Sequence, residues 1–82
     1  MSDEIAKLES AVDDFAEAMK AKLRSKASAG WDGWDRGPKT TWVNGCFSHL
    51  RRLDRGDDAQ AVDVANFAMF YWAAAEREKQ DE

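Results

Sequence analysis

Trp31 and Trp34 stand three residues apart inside SAGWDGWDRGPKT, residues 28–40, a stretch with three glycines and the only proline of the chain. Such composition reads as a loop. An indole in a loop either plugs the core from outside or forms a wall on which a nucleobase can stack. Asp63 and Asn66 lie three apart within AQAVDVANFAMFYWAAA, so they share one face of a helix. A carboxylate buried there is costly unless it is paired with a cation or meets a ligand. His49 is the sole histidine and Cys46 the sole cysteine. An internal disulfide and paired-cysteine metal motifs are therefore excluded, and His49 has no second imidazole with which to hold a metal. On a helix face Cys46 reads as a small, inert hydrophobe.

Charge is unevenly spread. The formal net charge is −4, which argues against a general nucleic-acid coat. Residues 20–55 nevertheless hold nine of the twelve bases and only three of the sixteen acids. Acids early and bases late in each helix account for much of that pattern through the helix dipole. Arg36 and Lys39 in the loop, and Arg51, Arg52 and Arg55 at one helix end, go beyond it.

The elements that must position these groups are three helices. Ile5, Leu8, Val12, Phe15, Met19 and Leu23 recur at spacings of three and four, which predicts an amphipathic helix over about 3–27, capped by Ser2 and stopped before Gly30, with that stripe in the core. A second helix is expected over 41–55, capped by Thr40 or Thr41 and closed by Gly56. Its expected apolar face is Val43, Cys46, Phe47, Leu50 and Leu53, and Gly45 allows close backbone approach. The third is expected over 58–79, capped by Asp57 or Asp58 with Gln60 in capping-box spacing, and ending in a solvated, frayed tail. Its middle is apolar on nearly every side, which predicts burial all round. Eighty-two residues cannot surround such a helix. Together with four Trp, four Phe and one Tyr, this predicts a single all-α domain assembled as a homo-oligomer. No apolar run reaches membrane-spanning length. The acidic, helix-patterned start predicts neither a signal nor a transit peptide, and the expected location is the cytoplasm.

DDFAEAMKAKL, GWDGW, a helix leading into GDD, and VDVANFAMFYW together resemble the all-α nucleoside triphosphate pyrophosphohydrolases. The closer likeness is to the short, often phage-encoded MazG-like proteins of the dATP/dGTP diphosphohydrolase kind. It runs from about residue 13 to 72 and is most specific over 63–69. The resemblance implies a helical unit whose site lies between helices and is completed by oligomerisation. It also implies Mg²⁺ held by a Glu-Glu-x-x-Glu cluster and a Glu-x-x-Asp pair, with water attacking phosphorus.

The chain departs from that pattern at the metal positions. The Glu-x-x-Asp place reads Gln60-Ala61-Val62-Asp63, and Ser48, His49 and Arg52 fall where three glutamates belong. The basic residue expected before Gly-Trp reads Ser28 or Ala29, with Lys26 nearby. The reading that follows is a nucleotide binder that does not cleave its ligand and needs no cofactor. In it, Arg51, Arg52, Lys26 and His49 contact phosphate, Trp31 and Trp34 stack on the base, and Asp63 and Asn66 read its edge or the ribose. The phage likeness suggests a sequestering protein for a nucleotide signal of bacterial immunity. Two alternatives stand beside it: an active Mg²⁺-dependent pyrophosphohydrolase, and a structural or protein-binding helical module.

Overall fold

The computed structural model describes residues 2–80, without the side chain of residue 2. It is all-α: α1 (Ser2–Ser28), α2 (Lys39–Asp54) and α3 (Gln60–Gln80). Ser2 is already helical, and its expected capping side chain lies outside the described residues. Among the described residues no helix is long and apolar enough to cross a membrane.

Two helix ends share one construction. At the end of α1 the Trp31 amide donates to the Lys26 carbonyl and the Gly30 amide to that of Ala27. At the end of α2 the Asp57 amide donates to Arg52 and the Gly56 amide to Leu53. Both are Schellman closures. Each needs a left-handed residue at the turn, and Gly30 (φ 94°) and Gly56 (φ 103°) supply it.

α2 starts earlier than the threonines suggest. Pro38, with φ −72° and ψ 154°, is the N-cap, and no side chain caps the helix. The fixed proline φ sets the extended entry, and the Thr41 amide donates to the Pro38 carbonyl. Before α3, residues 57–59 form a turn, and Gln60 Nε2 donates to Asp57 Oδ2 at 3.1 Å. The capping-box spacing is thus used between side chains rather than toward the backbone.

The buried apolar core is small: Trp42, Phe70 and Ala74, with Leu23, Trp31 and Phe67 packed against it. α2 and α3 form an antiparallel hairpin, and α2 is rotated from its expected face. Trp42, Gly45, Cys46 and His49 turn toward α3, whereas Phe47 and Leu50 are exposed. Gly45 decides this, because a Cβ there would lie 2.6 Å from Phe67 Cε1. Without one, the Phe67 ring rests on the helix backbone.

Among the described residues α1 meets α3 through its C-terminal half, by way of Met19, Lys22, Leu23 and Lys26, and its backbone makes no close approach to that of α2. The apolar stripe of α1 is therefore not core along its length. Ile5, Leu8, Val12 and Phe15 are 40–65% exposed. Met69, Tyr71 and Trp72 are also exposed, so α3 is not buried all round within one chain. The tail is tied down more than its charge suggests: Arg77 donates to the Gly37 carbonyl at 3.3 Å, and Glu78 pairs with Lys39.

Candidate functional site

Phe70, 1% exposed, is the hub of an aromatic cluster that carries both loop tryptophans. The Schellman closure of α1 delivers Trp31 onto Phe70, with ring centroids 5.5 Å apart and planes 30° apart. Trp34 follows at 5.8 Å from the same ring. Trp42 meets Phe70 edge-on at 5.3 Å from the other side. Offset and edge-on geometries of this kind suit the ring quadrupoles. Trp31 is the plug, half-buried against the core. Trp34 remains 40% exposed, with part of its indole surface open.

A cleft of about 430 Å³ opens beside them. Leu23, Ala27, Met69 and Phe70 form its apolar side, and Trp31 and Trp34 line it. Asp32, Asp35 and Arg36 stand on its rim. Arg36 pairs with Asp32 at 3.4 Å and Asp35 at 3.9 Å, so the rim presents carboxylate oxygens held beside one guanidinium. Lys26 stands behind Trp31, its Nζ 5.2 Å from that ring and 5.4 Å from Phe67. It is a cation–π contact that braces the indole.

Asp63 and Asn66 are both buried, on the seam between α3 and α1. Lys22 Nζ lies 3.8 Å from Asp63 Oδ1, and Asn66 Nδ2 donates to the Met19 carbonyl at 3.4 Å. Each still carries an oxygen, Oδ1 in both, that makes no hydrogen bond, as does Trp42 Nε1. Buried polar atoms are rarely left in that state. His49 sits on the opposite seam, its Nδ1 2.5 Å from Gln60 Oε1 and its ring 4.9 Å from Phe67.

The structure thus gathers Trp31 and Trp34 on one cleft, leaves Lys26 behind Trp31 and outside the cleft lining, and sets Asp63 with Asn66 on one buried seam. It does not bring Arg51 and Arg52 to either place. Both are exposed, and Arg51 borders a separate shallow groove with Phe47, Leu50, Leu53 and Asp54. Gly45 allows α2 to turn by about a quarter-turn from its expected face, and both arginines stay exposed. His49 belongs to the α2–α3 contact and not to the cleft. Lys22 and Met69 escaped sequence reasoning, whereas Arg36 stands out there by its charge but not by its place on the cleft. Lys22 and Lys26, four apart and hence on one helix face, were the available signal for the first pairing.

The donor set does not suit magnesium. Its one carried-over carboxylate, Asp63, already faces an ammonium group. Gln60, one turn before it, is an amide engaged by His49 and Asp57. A hard dication wants several oxygens, with carboxylates among them. Burial pushes the Cys46 thiol above its ordinary range, and its Sγ donates to the Val64 carbonyl. Compared with known proteins, the chain matches no family model, no curated protein and no solved structure.

Proposed function

We propose that this chain is a cytoplasmic nucleotide-binding protein that works as a homo-oligomer and holds its ligand without cleaving it. The observation that carries the reading is Trp34, an indole left partly open over a cleft walled by Trp31, Phe70 and Met69. A volume of about 430 Å³ lies within the range of small-ligand sites, and an indole face is matched by a base. The rim carboxylates of Asp32 and Asp35 accept hydrogen bonds from exocyclic amines, which favours adenine and guanine over thymine and uracil. Phosphates then point outward past Arg36. Arg51 and Arg52, which make no ion pair among the described residues, are open to phosphate from a ligand shared between copies.

Asp63 and Asn66 hold the seam behind the cleft, where their unused oxygens can order a bridging water. With Asp63 engaged by Lys22, activation of a water for attack on phosphorus has no free base at this place. The likeness to phage proteins makes sequestration of a nucleotide immune signal, of the cyclic oligonucleotide or ADP-ribose type, the concrete form of the proposal.

Tryptophan emission and melting temperature test it. Purine nucleotides are expected to quench Trp34 emission. At a hundredfold excess over Kd they stabilise the fold by about 2.7 kcal/mol. Emission and melting temperature unmoved by every nucleotide tried would overturn the proposal.

A further inference from the structure

The N-terminal half of α1 is a surface without a partner inside its own chain. A 27-residue helix is about 40 Å long, and the longest extent of the molecule is 40 Å. Its radius of gyration, 14.6 Å, exceeds the roughly 12 Å of a compact domain of this length. The chain exposes 6153 Å², whereas a compact monomer of 9.2 kDa exposes about 4,900 Å². The surplus of about 1,200 Å² exceeds the roughly 800 Å² that each partner contributes to a standard interface.

The exposed stripe Ile5, Leu8, Val12 and Phe15 is spaced i, i+3, i+7, i+10, the register with which a helix enters an apolar groove. The groove on α2 is of matching kind. Phe47, Leu50, Arg51, Leu53 and Asp54, all on this one helix, line a shallow, open depression, and Phe47 and Leu50 are 64% and 48% exposed. The chain's own α1 does not fill it, since among the described residues the backbones of α1 and α2 make no close approach.

Charge selects between the possible pairings. Residues 3–17 carry six acids against Lys7 alone. Glu9 stands one turn from both Ile5 and Val12, and Glu4 one turn before Leu8, so acids flank the stripe. Packing α1 on another α1 sets these acids against each other. Among the described residues the exposed α3 face around Trp72 offers no free cation of its own helix: Arg77 is taken up by Gly37 and Lys79 by Glu76. The end of α2 carries Arg51, Arg52 and Arg55 beside Asp54, with Asp57 and Asp58 in the turn that follows and Asp57 engaged by Gln60, so the free guanidinium that faces the groove is that of Arg51.

We infer that the N-terminal half of α1 from one copy docks on the α2 groove of a second copy of this chain, with Ile5, Leu8, Val12 and Phe15 seated on Phe47, Leu50 and Leu53, and with Glu9 and Asp13 meeting Arg51. The inference rests on the self-association part of the proposal above and is independent of nucleotide binding. It moves Arg51 from ligand contact to the interface and leaves Arg52 open. Reciprocal exchange between two copies closes a pair, and head-to-tail repetition closes a ring. In both, the apolar face that a single chain leaves wet is covered.

The test is light scattering on size-separated full-length protein without nucleotide. Wild type is expected as an assembly. Val12→Glu and Leu50→Glu are each expected to fall to 9.2 kDa with helical circular dichroism retained, because both positions are exposed in the single chain. A photo-crosslinking residue at position 12 is expected to mark residues 47–54 of another copy. A wild-type monomer overturns this inference and self-association together. An assembly that keeps its mass in either variant, or a crosslink to another α1 or to Trp72, overturns the docking alone. An assembly that behaves as expected yet binds no nucleotide leaves the docking standing and removes the nucleotide reading.

Discussion

The ammonium of Lys22 stands 3.8 Å from Oδ1 of Asp63, a carboxylate with 3% of its surface exposed. This pair joins α1 to α3 at a point where the apolar core is thin. It also occupies the acid that the resemblance assigns to a metal. The same two atoms bear on packing and on chemistry: the carboxylate that pairs with lysine across the helix seam is the one that a dication would have to share with that ammonium.

Lys22→Met is expected to destabilise the fold by about 1–3 kcal/mol, because it strands a buried charge. For a domain of this size each kcal/mol corresponds to about 4–8 °C in melting temperature. Adding Asp63→Leu to that variant is expected to return much of the loss, since an apolar pair carries no desolvation penalty. Thermal melts of the single and double variants distinguish this from a surface pair, whose loss moves stability by under about 1 kcal/mol.

Gly45→Ala removes a helix-weakening glycine, a gain of about 1 kcal/mol by propensity alone. Here the new methyl meets the Phe67 ring at 2.6 Å from Cε1, and overpacking costs about 1–3 kcal/mol. The expected net effect is a lower melting temperature. A rise would show that α2 and α3 separate at no cost.

The two loop tryptophans are expected to part company on substitution. Trp34→Ala loses base stacking worth about 1–3 kcal/mol, roughly a five- to 150-fold weaker Kd, with a smaller fall in melting temperature than Trp31→Ala, because Trp34 meets Phe70 but is already 40% exposed. Trp31→Ala also removes a ring packed on Phe70. It should cost about 2 kcal/mol of stability, less than a fully buried tryptophan because part of the ring is already wet. Titration and melting of both variants read the two effects separately.

Cys46 gives a pH signature. Its thiol keeps its proton more firmly in the folded chain than in the unfolded one. That stability contribution is complete at neutral pH and is lost as pH rises past the ordinary thiol range near 8.5 and through the raised value. Urea midpoints of the wild type should therefore fall more steeply between pH 8 and 10 than those of Cys46→Ala. A thiol reagent at pH 8 should react slowly until denaturant is added.

Periodicity located all three helices to within two residues at each end, because spacing, glycine stops and charge bias agree there. It did not say how the faces turn. The stripe Ile5 to Leu23 is continuous in sequence, but only its last two members reach α3, since helix length and not pattern sets where a neighbour ends. Phe47 and Leu50 were read as core from hydropathy, whereas the face carrying Trp42, Gly45 and His49 won, because a glycine opposite Phe67 lets two backbones approach. The cleft was half legible. Two indoles in a glycine-rich loop are visible in the sequence, but the Asp32–Arg36–Asp35 rim depends on how the loop folds after Gly30.

Isothermal titration of a nucleotide panel, with chromatography of the recovered ligand, tests the central claim most directly. The panel comprises dNTPs, cyclic oligonucleotides and ADP-ribose derivatives, each with and without Mg²⁺. The account predicts submillimolar binding of at least one purine ligand and its recovery intact at high protein concentration. No binding tighter than millimolar across the panel, or pyrophosphate released with Mg²⁺ and lost in Asp63→Ala, would contradict it.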